Sequence, residues 1–564
     1  MTIARPLVIS VALWVVLFAI TTVGFVGSTF AVPRLTTSPA PSSSWMIYSR
    51  FVASAYSKSL SMSAATQSVT IPSWSDLKNR AGSMPVGIAL NKEAELREMG
   101  KGSAFVQNKL RKFGSVDEPK ITLFRDHAGW CPYCEKTMLL IEEKQVPVKI
   151  DLVPMRSYGD KPQEFLRKVP NGLLPAIEVN GQVVTESQVI MELLDQWHSK
   201  QDGYRPMLPR EGDTAGWERY KKLARLERDL FGWWCTLLFR PEGGNPLTML
   251  MASSRDSMSG AMQGFLDCMQ KVDQELLSSN GPWFFDEHDY PTMIDFVYVS
   301  HVERMLASCA HWKGLDLRNP KWNLKGLNAW LEAFEKREPY LAFKSDYYTN
   351  VMDIPPQYGP GYDGGFNDDR KKFQASILGR DGKSWKLPLS FDDELQPLYR
   401  GMPLPSCVLD AAGLQPDSDG TYGSCDETTM SQACRAMAAW KLAGNGNNVS
   451  RFAARGGPQG AKNPRKRFGA ELADPYAETD NEIRSATDSA LRVVCAALMD
   501  VEATLPDQAM VDQLRSSVPD NQVEGVAAAL AYLRDRVGVP RDLPLAAGRY
   551  FRAYLNWGIE TLSK

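Results

Sequence analysis

The residues best suited to chemistry in this 564-residue chain are Cys131 and Cys134, in the stretch Trp130-Cys131-Pro132-Tyr133-Cys134-Glu135-Lys136. A cysteine that opens a helix faces unbonded backbone N–H groups and the positive end of the helix dipole, and both favour thiolate over thiol. Pro132 suits the first helical position, because the N–H it lacks has no partner there. Cys134 follows one turn later, within reach of Cys131 for a disulfide or for resolving a mixed disulfide. Half of a zinc site is the competing reading of such a pair. No second close pair exists, since Cys425 and Cys434 are too far apart for a zinc knuckle, and no His stands at ligand spacing. No metal is therefore expected. Lys136 is close in sequence and is given no role.

Two further stretches bear on the thiols. Leu174-Pro175 opens a strand, where proline would interrupt an ordinary ladder. It reads either as a cis bend presenting the Leu174 backbone to an extended ligand, or as a trans proline opening an edge strand. Glu186-Ser187 opens a helix whose free N–H groups and hydroxyl suit a carboxylate; a plain helix start is the alternative.

The elements that must position these residues follow from periodicity. Ile121 to Arg125 alternates as a half-buried strand, and Val146, Val148, Ile150 and Leu152 alternate as a second. Cys134 to Lys144 predicts a helix burying Met138, Leu139, Leu140 and Ile141, and Gln163 to Lys168 a short one. Ala176–Val179 and Gln182–Thr185 flank Asn180-Gly181, a strong hairpin signal. Ser187 to His198 closes the unit as a helix with Val189, Ile190, Leu193, Leu194 and Trp197 on one face. The order β-α-β-α-β-β-α is that of an α/β thioredoxin-like domain, placed at 120–200. From 213 to 350 the pattern is helical. Trp217, Tyr220, Leu223, Leu226, Leu230, Phe231 and Trp234 form a stripe, a second helix runs from Ser257 to Leu277, and Thr292 with Asp295 forms a capping box on a third.

The remaining boundaries rest on composition. Residues 76–119 read as a helix-compatible lead-in packing on the next domain, helical from Leu90 to Arg97 and from Ala104 to Phe113. Residues 351–423, rich in Pro, Gly and Asp, read as an extended linker with a hairpin near Gly379 to Gly382. Residues 424–564 read as a helical C-terminal extension with helices at Glu478–Met499, Gln508–Ser517, Val523–Val537 and Leu545–Leu562, after a solvated loop containing Arg465-Lys466-Arg467. Arg541, Arg549 and Arg552 are read as lying on solvated faces. At the other end, Leu7 to Val26 is apolar and small residues follow, so 1–29 reads as a signal peptide, with an uncleaved membrane anchor as the alternative. No acidic residue precedes Asp76, and 30–75 has the composition of a disordered transit peptide. The net charge of −2 gives no electrostatic case for nucleic acid.

On these motifs, residues 120 to about 350 resemble the glutathione S-transferase superfamily: a thioredoxin-like half, then an all-helical half. The site resembles the cysteine-dependent branch, of omega, lambda and dehydroascorbate-reductase types, and shares its two cysteines with glutaredoxins. The resemblance implies glutathione as cosubstrate and Cys131 as nucleophile, with Cys134 as a second catalytic thiol. It implies Pro175 as a cis-proline, Leu174 bonding the cysteinyl backbone of glutathione, and Glu186 and Ser187 holding its γ-glutamyl end. Lys161 would pair with the glycine carboxylate, and Tyr133 would line the same site. Omega-type enzymes usually lack the second cysteine, so one-thiol and two-thiol mechanisms both stay open. The two-part presequence, with Phe30 after the small residues, is similar to those of complex plastids; the secretory pathway is the alternative.

Three functions compete. The first is a glutathione-dependent thiol transferase acting on a glutathionylated protein or dehydroascorbate. The second is a transferase conjugating glutathione to a small electrophile, and the third a non-enzymatic glutathione-binding scaffold. Monomer and homodimer both fit.

Overall fold

The computed structural model describes residues 71–241, 258–285, 288–460 and 471–564. The signal-peptide reading, nearly all of the transit segment and Arg465-Lys466-Arg467 lie outside the described residues. Among those described, no helix is long and apolar enough to cross a membrane.

The chain begins with α1 (Trp74–Ser83) and α2 (Pro85–Glu98), then β1 (Leu110–Arg111), β2 (Ile121–Asp126), α3 (Pro132–Lys144) and β3 (Val148–Val153). There follow α4 (Gln163–Lys168), β4 (Ala176–Val179), β5 (Gln182–Thr185) and α5 (Ser187–Trp197). The strands form one sheet in the order β1-β3-β2-β4-β5. β2 and β3 run parallel, as the α3 crossover requires, and the other pairings are antiparallel. Asn180 and Gly181 both take positive φ, +51° and +78°, as a two-residue hairpin turn demands. β1 corrects the helical reading of Ala104 to Phe113. Leu110 pairs with Lys149, and Arg111 is anchored on Glu142 at 2.6 Å. The α5 face is also corrected: Ile190, Met191 and Leu194 are buried, whereas Val189 and Trp197 are exposed.

Helices α6 (Thr214–Phe239), α7 (Gly260–Leu277) and α8 (Met293–Lys313) come next, then α9 (Lys325–Glu335) and the short α10 (Glu338–Leu341). α8 is buried almost throughout. Its start is fixed by Asp295, which accepts from the Thr292 backbone at 2.8 Å and hydroxyl at 3.0 Å, from Trp330 Nε1 at 2.9 Å and from the Phe284 backbone at 3.2 Å. Four donors meet the need of a buried carboxylate.

Residues 351–423 are not an extended linker. α11 (Tyr347–Tyr358), α12 (Asn367–Ile377) and α13 (Ser406–Ala411) lie wholly or partly within them. Val351, Ile354, Phe373, Ile377 and Trp385 join the core of the preceding domains, while Phe391, Leu398 and Leu404 join a second core. Bulky apolar side chains at irregular spacing pack without leaving a helical period to read. Gly379 to Gly382 forms a turn, not a strand pair.

The second core unites α14 (Glu427–Gly444), α15 (Gly446–Ala453), α16 (Arg484–Met499), α17 (Gln508–Ser516), α18 (Val523–Arg534) and α19 (Leu545–Leu562). α1 and α2 enter it through Leu77, Ala81, Val86 and Leu90. The lead-in thus divides its packing, giving its helices to the C-terminal core and its strand to the sheet.

Candidate active site

Cys131 caps α3, with Pro132 at its first position. Both cysteines are free and buried. Burial first, then the neighbouring Cys131 sulfur and the charge of Asp126, push the Cys134 thiol well above its ordinary range. The Cys131 sulfur lies 3.9 Å from the Leu174 carbonyl oxygen, and the Leu174–Pro175 peptide is cis. The pairing of Ala176 with Thr185 brings Glu186 and Ser187 alongside Pro175. Ser187 is the first residue of α5; exposed Glu186 holds φ +69°, ψ 107°, a conformation rare for a side chain of its size and one that concentrates at ligand sites. Lys161 donates to the Pro154 carbonyl at 2.7 Å. Burial lowers its ammonium, with both cysteines among the groups that oppose the shift. Leu174 and Pro175 thus meet Cys131, with Glu186 and Ser187 next to them across the β4–β5 pairing.

Tyr133 points elsewhere. Its ring meets His301 of α8 edge-on at 5.5 Å and leans toward the helical domain. A chain of aromatic contacts continues from there. Phe231 lies 5.0 Å from His301, and Tyr358 stacks on Phe239 at 5.9 Å and meets Trp234 at 5.4 Å. Trp234 is fully buried and donates to Ser308 at 2.9 Å, whereas Trp233 turns outward across Gly264. Trp234 is core, and Phe239 belongs to the wall that ends at Tyr133.

Several groups of the site carried no sequence signal. α3 is buried on every side except at Tyr133, because it lies between the sheet and α8. Its charged residues are consequently paired: Glu135 with Arg304 at 2.7 Å and Lys144 with Asp195 at 2.7 Å. Arg304 also donates to the Trp130 carbonyl at 2.9 Å, tying the turn before Cys131 to α8. Asp126 accepts from the Trp130 N–H at 2.8 Å and closes that turn from within. Lys136, only 6 % exposed, sits among Glu227, Arg228 and Cys131, and burial pulls its ammonium down to about 8 against the attraction of Glu227. Glu227 bonds His301 at 2.9 Å. Burial opposes its charge, but His301 and Arg228 hold the carboxyl down to about 2. Only the burial of both ends of α3 makes these residues part of the site.

The C-terminal part reaches the same turn from behind. The Trp130 indole donates to the Val539 carbonyl at 3.1 Å, and the Arg541 guanidinium lies 4.9 Å from the ring centroid. Tyr476 donates to Asp160, next to Lys161, at 2.7 Å. Arg552 is fully buried, paired with Asp346 at 2.5 Å and stacked on Tyr348 and Trp385, and Arg549 meets Asp393 at 3.1 Å. These arginines join the two cores rather than lying on solvated faces.

A thioredoxin-like sheet with a buried cysteine pair at the start of α3, a cis-proline against it and a buried helical neighbour defines a thiol protein of the transferase type. Residues 130–197 match the family described as glutathione S-transferase, N-terminal domain. Pyrimidodiazepine synthase of Drosophila melanogaster is 34% identical over 218 residues, covering 38% of this chain and 77% of that protein. Glutathione S-transferase DHAR2 of Arabidopsis thaliana is 23% identical over 215 residues, covering 38% of this chain and 84% of that protein. The solved structure of glutathione transferase Omega 3C from Trametes versicolor aligns with 45% of this chain and 95% of its own, at 18% identity and a TM-score of 0.33. The chain belongs to the glutathione S-transferase superfamily.

Proposed function

We propose that the protein is a glutathione-dependent thiol transferase working through Cys131. The Cys131 thiolate attacks the sulfur that glutathione contributes to a glutathionylated protein. A new S–S bond joins Cys131 to glutathione, the old one breaks, and the protein thiolate leaves and takes a proton. A second glutathione thiolate then attacks the mixed disulfide, releasing oxidised glutathione and restoring Cys131. Dehydroascorbate is the alternative small-molecule substrate: two glutathiones supply its two electrons and two protons and leave as one oxidised glutathione, passing through the same Cys131–glutathione disulfide; the similarity to glutathione S-transferase DHAR2 supports it.

The observation that carries this reading is the Cys131 sulfur at the head of α3, 3.9 Å from the carbonyl that precedes the cis-proline. In the bound state Leu174 pairs with the cysteinyl backbone, Glu186 and Ser187 hold the γ-glutamyl end, and Lys161 faces the glycine carboxylate. Cys134 favours the one-thiol route: it is buried and its thiol is held neutral, which makes it a slow resolving nucleophile. Localisation to a plastid follows the composition of the presequence, and the chloroplastic relatives support it.

The test is thiol transfer from a glutathionylated peptide by Cys131→Ser and Cys134→Ser. Cys131→Ser should lose about 10³-fold or more, the scale of removing a nucleophile. Cys134→Ser should keep most of the rate. Substantial transfer by Cys131→Ser sinks the proposal, and loss of turnover in Cys134→Ser sinks the one-thiol route.

A further inference from the structure

Away from the thiols, a cavity of about 410 Å³ opens where α2, the segment after it, α10, the 398–405 stretch, α14 and the start of α19 meet. Its size falls in the range of small-ligand sites, roughly 300–1,000 Å³. The wall is mainly apolar, with Leu90, Phe105, Leu341, Met402, Leu404 and Leu543 among the lining residues. None of it belongs to residues 130–197, which carry the family match.

The charges on this wall are unbalanced. Five cations line it (Arg97, Lys109, Lys344, Arg400 and Lys441) against three acids (Glu98, Glu338 and Asp542). Most of the inner ones are occupied. Arg97 meets Glu93 at 3.2 Å, Lys344 meets Glu335 at 2.5 Å, and Glu338 accepts from the Ser406 N–H at 3.2 Å. Asp542 is held by Arg541 at 2.6 Å and by the Gly538 N–H at 2.8 Å. Lys441 is the exception. It has no hydrogen-bond or ion-pair partner among the described residues, and its ammonium sits 5.4 Å from the centroid of the Phe105 ring, itself a wall of the cavity. Burial depresses this ammonium, the attraction of Asp542 opposes the shift, and Arg97 and Arg541 add to it. A half-buried cation with no direct ion-pair partner, facing a largely apolar cavity, is costly until an anion reaches it.

We propose that this cavity binds a small anionic amphiphile, its head paired with Lys441 and its apolar chain lying along Phe105, Leu404 and Leu543. The head is a single carboxylate or phosphate, since a lysine ammonium is a point charge and imposes no bidentate geometry. The chain replaces water on a surface that is already largely apolar, and burial of each methylene contributes about 0.8 kcal/mol.

Calorimetric titration of the full chain with laurate, dodecan-1-ol and acetate tests this. Laurate should bind, acetate should give no measurable heat, and dodecan-1-ol should bind at least about tenfold more weakly than laurate. Lys441→Met keeps the stem and removes the charge. It should weaken laurate by about tenfold or more and leave dodecan-1-ol within about twofold. Ala94→Phe, on the partly exposed edge of the cavity, should abolish binding of both, with the unfolding midpoint confirming that each variant is folded. Absence of laurate binding overturns the proposal. So does laurate binding unchanged by Lys441→Met or retained in folded Ala94→Phe, and so does dodecan-1-ol binding as tightly as laurate.

Discussion

The two cores of this protein use different materials for similar helices. The first, around α3 and α8, buries Arg125, Asp126, Glu135, Lys136, Glu142, Glu227, Glu303 and Arg304 within a shell of aromatic rings. The interior of the second is mostly small and aliphatic: Ala433, Ala438, Ala439, Ala490, Ala497 and Ala529 let α14, α16 and α18 approach closely, with Leu491, Leu498, Leu530 and Tyr554 between them. Arg435, Arg549 and Arg552 are tied to backbone carbonyls or to acids at its border. A buried charge costs several kcal/mol unless paired, so a core holding many of them gives up stability that an alanine-packed core keeps. The difference separates two tasks. The first core holds the groups around the Cys131 sulfur, and the second holds α1, α2 and the 535–543 segment in place behind it.

Arg304 is the strongest handle on this division. Arg304→Met leaves Glu135 buried without its partner and cuts the tie to the Trp130 carbonyl. Loss of one member of a buried pair costs about 3–5 kcal/mol. Urea unfolding should show that loss, and the rate of Cys131 alkylation by iodoacetamide should change with it. Leu491→Ala, at a fully buried site in the second core, should cost about 2–5 kcal/mol through cavity creation, yet leave the alkylation rate within about twofold. If Leu491→Ala alters Cys131 as much as Arg304→Met does, the two cores share one task and the contrast fails.

The contrast also explains what the amino-acid sequence reveals. Strands β2 to β5, the Asn180-Gly181 turn, the Thr292 cap, and the cysteines with Leu174-Pro175 are legible because each is a local pattern with a local cause. The cis peptide and the approach of Leu174 to Cys131 agree with that reading. Lys136 was not legible, since only the arrival of α8 and Glu227 from far along the chain buries it. Residues 351–423 read as a linker because Trp385 and Phe391 pack singly, among prolines and glycines, with no period to betray them. Arg552 looked like a surface residue until Asp346, Tyr348 and Trp385 closed around it.

Lys136 gives a pH-dependent test of the first core. Its ammonium is lowered from 10.5 to about 8, chiefly by burial. Below pH 8 the folded protein carries a charge it would hold more easily unfolded. Between about pH 8 and 10.5 the unfolded chain binds more protons than the folded one, so this lysine's contribution to stability rises with pH across that window. Lys136→Met should therefore be more stable than the parent at pH 7, by up to about 3 kcal/mol. The advantage should shrink as pH climbs from 8 toward 10.5. Denaturation midpoints of both proteins at pH 7, 8, 9 and 10 measure it. A constant difference across the series would mean that Lys136 does not titrate there, and that charge near the sulfur is less finely balanced than the first core implies.

The smallest effect is expected where the cores meet, at Arg541. Its guanidinium lies over the Trp130 ring and pairs with Asp542. A cation–π contact of this kind contributes about 0.5–1 kcal/mol. The indole keeps its second tie, to the Val539 carbonyl, whatever residue stands at 541, because a backbone oxygen accepts that bond. Arg541→Ala should accordingly lower stability by about 1 kcal/mol and leave Cys131 alkylation and thiol transfer within about twofold. The 535–543 segment then supports the turn through its backbone, as a scaffold does. A several-fold fall in Cys131 reactivity with normal stability would mean the opposite: the second core would act on the sulfur through charge, and the border between the tasks would run through Trp130 rather than behind it.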